Sequence, residues 1–158
     1  MIDDLRIYDL KKFHDDRGFF CELHNQYKNK FAVQQINQSF SKKGTLRGIH
    51  CTPFWKLITC IKGKVLDVCV DLRSKSKTYL QHYSVELSED NNKQVYIPGF
   101  CGHAFLALED SLIVYSQGDV YNPIVESSYR FDDPAFKIDW PKMDYIISDK
   151  DLKAKYFN

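Results

Sequence analysis

The sequence predicts a mainly β chain, a jelly-roll type barrel followed by a short C-terminal helix. Three observations carry that reading. Short runs of period-two or continuous apolar character recur along the chain, turn-forming residues separate them at the spacing of sandwiches and barrels, and no ~30-residue βαβ unit interrupts them.

The runs fall at residues 31–36, 56–61, 64–70, 80–87, 93–97, 104–108 and 112–115, and each reads as a strand. The punctuation between them is Lys43-Gly44, Lys62-Gly63, Glu89-Asp90-Asn91-Asn92, Pro98-Gly99, Glu109-Asp110 and Asn122-Pro123. Residues 148–157 open on Ser148-Asp149 and alternate in charge, which suits a short helix. No repeat, low-complexity linker or boundary divides the chain, so residues 1–158 are expected to form one domain. Such a chain buries about two thirds of its unfolded surface and needs no disulfide or metal to fold.

Composition excludes several function classes. With 22 basic and 21 acidic residues the formal net charge is +1, so no global field draws the chain to nucleic acid or to a membrane, and any anion it binds is expected to be small. The five cysteines, Cys21, Cys51, Cys60, Cys69 and Cys101, are odd in number and form no C-x-x-C pair, which argues against a disulfide framework or zinc finger. The first eighteen residues lack the apolar run of a signal peptide, and no stretch approaches the ~20 apolar residues of a membrane span. A cytoplasmic location is the expectation.

A small barrel holds its ligand in the mouth, among inward-facing residues that alternate with outward ones along each strand. Polar side chains on strands that otherwise look buried are costly without partners, which singles out Gln35, Asn37, Arg47, His50 and Lys56. Arg47 and His50 lie three apart in Leu46-Arg47-Gly48-Ile49-His50. A histidine in that setting is either a satisfied structural residue or a base, and the motif alone leaves both open. Lys56, between Trp55 and Leu57, either snorkels outward or faces an anion inside. His103 follows the tight turn Pro98-Gly99, and Tyr115 and Tyr121 flank Gly118. Glycine turns and tyrosines also serve to close barrel corners, so their conjunction matters more than any one of them.

These pieces, in order, are DDRGFFCE (15–22), QINQSFS (35–41), GTLRGIH (44–50), KLITCIKGKVLDVCVDLRSKSKTY (56–79), YIPGFCGHAF (96–105), VYSQGDVYNP (114–123), DDPAFKIDWP (132–141) and SDKD (148–151). Nearly end to end, the chain resembles the dTDP-4-dehydrorhamnose 3,5-epimerases, cupin-like barrels that invert carbons beside a 4-keto group. The resemblance implies a base at His50 paired with Asp151, a lysine at Lys56 steadying the enolate oxygen, and an acid at Tyr115 on the opposite face of the sugar. It further implies that Arg17, Arg47 and His103 hold the diphosphate or support the site, and that Gln35, Asn37, Phe20, Glu22 and Tyr121 contact nucleotide or sugar. The implied substrate is a nucleoside-diphosphate 4-keto sugar. The implied assembly is a homodimer in which the DDRG segment completes the neighbour's site.

The chemistry suits those residue types. A proton α to a ketone is removed when a base of near-neutral pKa is in reach and the enolate oxygen meets a fixed positive charge, and inversion requires a proton from the other face. No cofactor is expected. Metal-binding cupins present an H-x-H pair, whereas Cys51-Thr52 follows His50, and His14, His24 and His82 have no ligand spacing and are expected at the surface or at strand ends. The five residues between His50 and Lys56 are fewer than the family commonly carries, and Trp55 either stacks on ligand or packs at the rim. Two further readings stay open: a 3,4-ketoisomerase of the same substrates, and a sugar-nucleotide binding cupin without turnover.

Overall fold

The computed structural model describes residues 1–157. In chain order the strands are β1 (Arg6–Asp9), β2 (Lys12–Asp15), β3 (Gly18–Cys21), β4 (Gln35–Ser41), β5 (Leu46–Cys51), β6 (Lys56–Lys62), β7 (Lys64–Asp71), β8 (His82–Ser88), β9 (Lys93–Ile97), β10 (Cys101–Ala107), β11 (Ser111–Gln117) and β12 (Ser127–Ser128). Two one-turn helices join them, α1 (Gln26–Asn29) and α2 (Asp149–Leu152). The strands pair antiparallel into two five-stranded sheets, β1-β9-β6-β11-β4 and β12-β5-β10-β7-β8, while β2 and β3 form a separate hairpin.

The mainly β expectation holds, and two of its boundaries move furthest. The strand expected from residue 31 begins at Gln35, because Phe31 instead packs its ring against His24, Trp55 and Tyr96. The helix expected over 148–157 is confined to Asp149–Leu152, capped by Ser148, whose hydroxyl accepts from the Asp151 amide at 3.2 Å. Beyond it the chain turns extended and Lys155 bridges to Tyr129. The N-terminal strands β1 to β3 lack a clear apolar period, and their pairing partners are what make them strands.

The second sheet reads as continuous apolar runs because both of its faces are covered. Along β10, Phe105 and Ala107 face the first sheet, whereas Ala104 and Leu106 face outward against Phe136 and Trp140 of the C-terminal segment. The first sheet differs. Its edge strand β4 alternates, with Gln35, Asn37 and Ser39 half-buried and Ile36 and Phe40 exposed on the outside at 66% and 54%. Apolar side chains point out and polar ones in, the reverse of an ordinary half-buried strand. That inversion locates the site.

Candidate active site

Antiparallel partners share a face of their sheet, so the register places the polar residues. On the first sheet Gln117 pairs with both Lys56 and Gln35, and Tyr115 pairs with both Ile58 and Asn37. Ile58 lies in the core between the sheets, so Lys56, Gln117, Tyr115, Asn37 and Gln35 all face the interior. On the second sheet His50 pairs with His103, which pairs with Cys69, another residue of that core. One end of the barrel interior is therefore polar and the other apolar.

The base candidate is held from two directions. His50 Nε2 lies 2.7 Å from Asp151 Oδ1, a contact across 101 residues that α2 delivers to β5. Asp151 is 3% exposed, and its second oxygen accepts from the Gly48 amide at 3.4 Å. Burial alone lifts the pKa of such a carboxyl, yet the hydrogen bond and charge of His50 and the Gly48 amide hold it below the ordinary value. An ionised carboxylate only accepts, so Nε2 carries the proton and Nδ1 is left with the lone pair. Gly48 permits this approach. Its φ is +115°, and a Cβ there would meet Ala104 Cβ and His103 O at 2.6 Å. The Gly48-Ile49 peptide is cis.

Lys56 does not snorkel. It is 8% exposed, its Nζ donates to the His50 carbonyl at 3.4 Å, and burial pulls its pKa below that of an ordinary lysine. Tyr115 is half-buried on the facing sheet, with its phenol pKa raised by burial. Gln35 and Asn37 join through a 2.7 Å hydrogen bond, and Gln35 Oε1 accepts from the Tyr121 amide at 2.7 Å, which brings these three together. Arg47 donates to Ser41 Oγ and to the Phe40 carbonyl. His103 Nε2 lies 2.7 Å from Asp67 Oδ2, a second His–Asp pair beside the first.

Three expected residues stand apart from this constellation. Arg17 and Phe20 lie on the exposed β2–β3 hairpin, where Arg17 pairs with Asp15 of the same turn. Glu22, just after β3, pairs with Lys28 and accepts from Asn25. Trp55 packs at the rim against Phe31, Tyr96 and Gly118. Of the other histidines, His14 lies on the hairpin and His82 opens β8 with Nδ1 at 2.8 Å from the Phe136 carbonyl. His24 departs from the surface or strand-end expectation: its ring stacks on Phe31, and both ring nitrogens are buried without a partner among the described residues.

Two interior carboxylates escaped the sequence reading. Asp67 interrupts the apolar run of β7, and the cost of burying a charge could have flagged it as it flagged Lys56. Glu126, in the segment after Asn122-Pro123, carried no such signal. Among the described residues no three His, Cys, Asp or Glu side chains converge as a metal site requires, and all five cysteines are free. No helix among them is long and apolar enough to cross a membrane.

A family model for dTDP-4-dehydrorhamnose 3,5-epimerase matches residues 1–158. The chain belongs to that family. As a dTDP-4-dehydrorhamnose 3,5-epimerase family member it is an enzyme of the isomerase class, an epimerase. It is 40% identical to the dTDP-4-dehydrorhamnose 3,5-epimerase of Methanothermobacter thermautotrophicus, over 98% of this chain and 90% of that protein. The Shigella flexneri enzyme of the same name is 37% identical, over 99% and 92%. Among solved structures, the Legionella pneumophila dTDP-6-deoxy-D-glucose-3,5-epimerase in complex with dTDP-4-keto-L-rhamnose superposes with a TM-score of 0.94 at 36% identity, covering 98% of this chain and 88% of that one. ChmJ, a 3'-monoepimerase from Streptomyces bikiniensis in complex with dTDP-quinovose, superposes with a TM-score of 0.91 at 32% identity, covering 98% and 84%. These relatives share the cupin-like barrel and include a monoepimerase, so the fold by itself leaves open how many carbons are inverted.

Proposed function

We propose that this epimerase inverts C3, C5 or both of a nucleoside-diphosphate 4-keto-6-deoxy sugar, with His50 and Asp151 as the base pair, Lys56 stabilising the enolate and Tyr115 supplying the proton. The observation that carries the reading is the joint placement on the barrel's inner faces of a carboxylate-held imidazole, a buried ammonium and a phenol on the opposing sheet.

Nδ1 of His50 takes the proton α to the ketone, and Asp151 stabilises the imidazolium that forms. The electron pair moves onto the carbonyl oxygen, where the Lys56 ammonium meets the developing charge in a site with little water to screen it. Tyr115 then gives its proton to the carbanion face turned away from His50, and the carbon inverts. Similarity to proteins solved with dTDP-linked sugars supports a nucleotide-sugar substrate, with Gln35, Asn37 and Tyr121 against the nucleotide or sugar.

The assembly in this reading is a homodimer. The β2–β3 hairpin shows Phe13, Phe19 and Phe20 to solvent at 52%, 58% and 66%, and the outer face of β4 shows Ile36 and Phe40. Clustered apolar exposure of this kind marks an interface. A second copy that receives the hairpin would bring Arg17, Phe20 and Glu22 to the diphosphate or sugar, which their positions in one chain do not do.

Incubating the protein with dTDP-4-keto-6-deoxyhexose in D2O tests the reaction. Deuterium is expected at C3 or C5, and absence of exchange over a panel of nucleotide 4-keto sugars overturns the proposal. A carbonyl relocated to C3 would instead identify a ketoisomerase, and tight binding without exchange a binding protein. Tyr115→Phe is expected to retain exchange while losing inverted product.

A further inference from the structure

Lys56 is anchored from outside the cavity. β5 ends at Cys51 and β6 opens at Lys56, so residues 52–55 alone separate the strand that carries His50 from the strand that carries the lysine. That link is pinned at both ends. At one end the Thr52 carbonyl accepts from the Phe100 amide at 2.7 Å, and the Thr52 hydroxyl donates to the Phe54 carbonyl at 3.1 Å. At the other end the Trp55 carbonyl accepts from the Gly118 amide at 3.1 Å, which adds a rung to the β6–β11 ladder beyond the Lys56–Gln117 pair.

The indole closes that rung. A Cβ on Gly118 would fall within 2.8 Å of Trp55 Cδ1 and Cε2, so the ring sits directly on the glycine and only the missing side chain lets it do so. Phe31 and Tyr96 hold the ring elsewhere, with centroids 4.5 and 5.8 Å away, His24 backs Phe31 at 5.1 Å, and the Arg6 guanidinium lies 5.7 Å over Tyr96. Successive residues of an extended chain point to opposite faces, so an indole fixed on the outer face turns Lys56 inward. Inside, little else holds the lysine. Among the described residues its Nζ makes one hydrogen bond, to the His50 carbonyl, and at 3.4 Å it is a long one.

We propose that Trp55, seated on Gly118, is a positioning residue for the reaction: it locks the start of β6 from outside the barrel and so fixes the Lys56 ammonium where the enolate oxygen develops. The inference rests on the role of Lys56 proposed above. A charge aimed at the developing oxygen acts in the transition state more than in the bound ketone, so a loosened lysine lowers kcat and leaves KM nearly as it was.

The experiment measures kcat and KM for epimerisation of dTDP-4-keto-6-deoxyhexose, with thermal midpoints to show that each variant is folded. Trp55→Ala is expected to lower kcat about 30-fold and to change KM less than about threefold. Gly118→Ala, which pushes the ring off its seat, should lower kcat about tenfold, whereas Trp55→Phe, which keeps an aromatic ring at the rim, should stay within about threefold of the parent. Lys56→Met alone should lose about 10²-fold or more, and adding Trp55→Ala or Gly118→Ala to it should cost nothing further, because no ammonium remains to be positioned. Parental kcat in folded Trp55→Ala and Gly118→Ala overturns the proposal, as does a loss confined to KM. Losses as large beside Lys56→Met as in the parent also overturn it, since the ring would then support the barrel independently of the lysine. If Trp55→Ala does not fold, Gly118→Ala in the two backgrounds decides in the same way. Parental activity in Lys56→Met would instead sink the underlying assignment, so the two failures are distinguishable.

Discussion

Two His–Asp pairs lie side by side in the ladder between β5 and β10, each with a histidine Nε2 2.7 Å from a carboxylate oxygen, and they differ in nearly everything else. In the first, the His50 side chain is 26% exposed and its carboxylate arrives from α2, with its second oxygen satisfied by the Gly48 amide. In the second, the His103 side chain is 12% exposed, and Asp67 comes from the neighbouring strand with Oδ1 left unpartnered among the described residues. The pair contact is common to both, whereas access and a complete hydrogen-bond set belong to one. A base needs an open nitrogen and a settled partner, so the difference supports the proposal that His50 abstracts the proton while His103 supports the site.

The largest effect expected is at the open pair. His50→Ala should lower exchange at both carbons by about 10³-fold or more, and His103→Ala by about tenfold, measured as deuterium uptake in D2O. Equal losses would erase the distinction. Replacing the carboxylates sharpens it: Asp151→Asn keeps the size but no longer enforces the His50 tautomer, and about 10²-fold lower kcat is expected. Asp67→Asn should cost about tenfold in kcat and about 1–3 kcat-independent kcal/mol of stability, seen in denaturant unfolding, because a buried group is re-paired.

A backbone substitution tests the scaffold the two pairs share. Gly48→Ala puts a Cβ against Ala104 and His103 O at a positive φ, and stability should fall by about 1–3 kcal/mol. The smallest effect concerns pH. Because the Asp151 pKa is depressed below 3.8 in the folded chain, its stabilisation is complete above that value and is lost as pH falls through the folded value. Asp151→Asn should therefore flatten the fall of Tm between about pH 5 and pH 2, and an unchanged slope would show the pair to be weaker than its geometry implies.

How legible was this site? His50, Lys56, Tyr115 and Asp151 were readable through their order along the chain, and Lys56 also through the cost of a charge in an apolar strand. Asp67 could have been found by that same argument. Glu126 could not, since a glutamate in a polar loop is ordinary until the fold sets it beside Lys150 and the cavity. Arg17 and Phe20 were legible as family positions, while the chain's own fold leaves them on an exposed hairpin.

By itself the sequence determined the mainly β architecture, most strand positions and the candidate chemistry, because alternation, turn residues and buried charge are local signals along one dimension. Only the tertiary structure decided that β4 turns its polar side inward, that Lys56 faces the cavity, and that Asp151 reaches His50 across 101 residues. Those outcomes depend on strand register and on which face the C-terminal segment covers. A shift of one residue in register would send the β4 side chains and Lys56 to the opposite face.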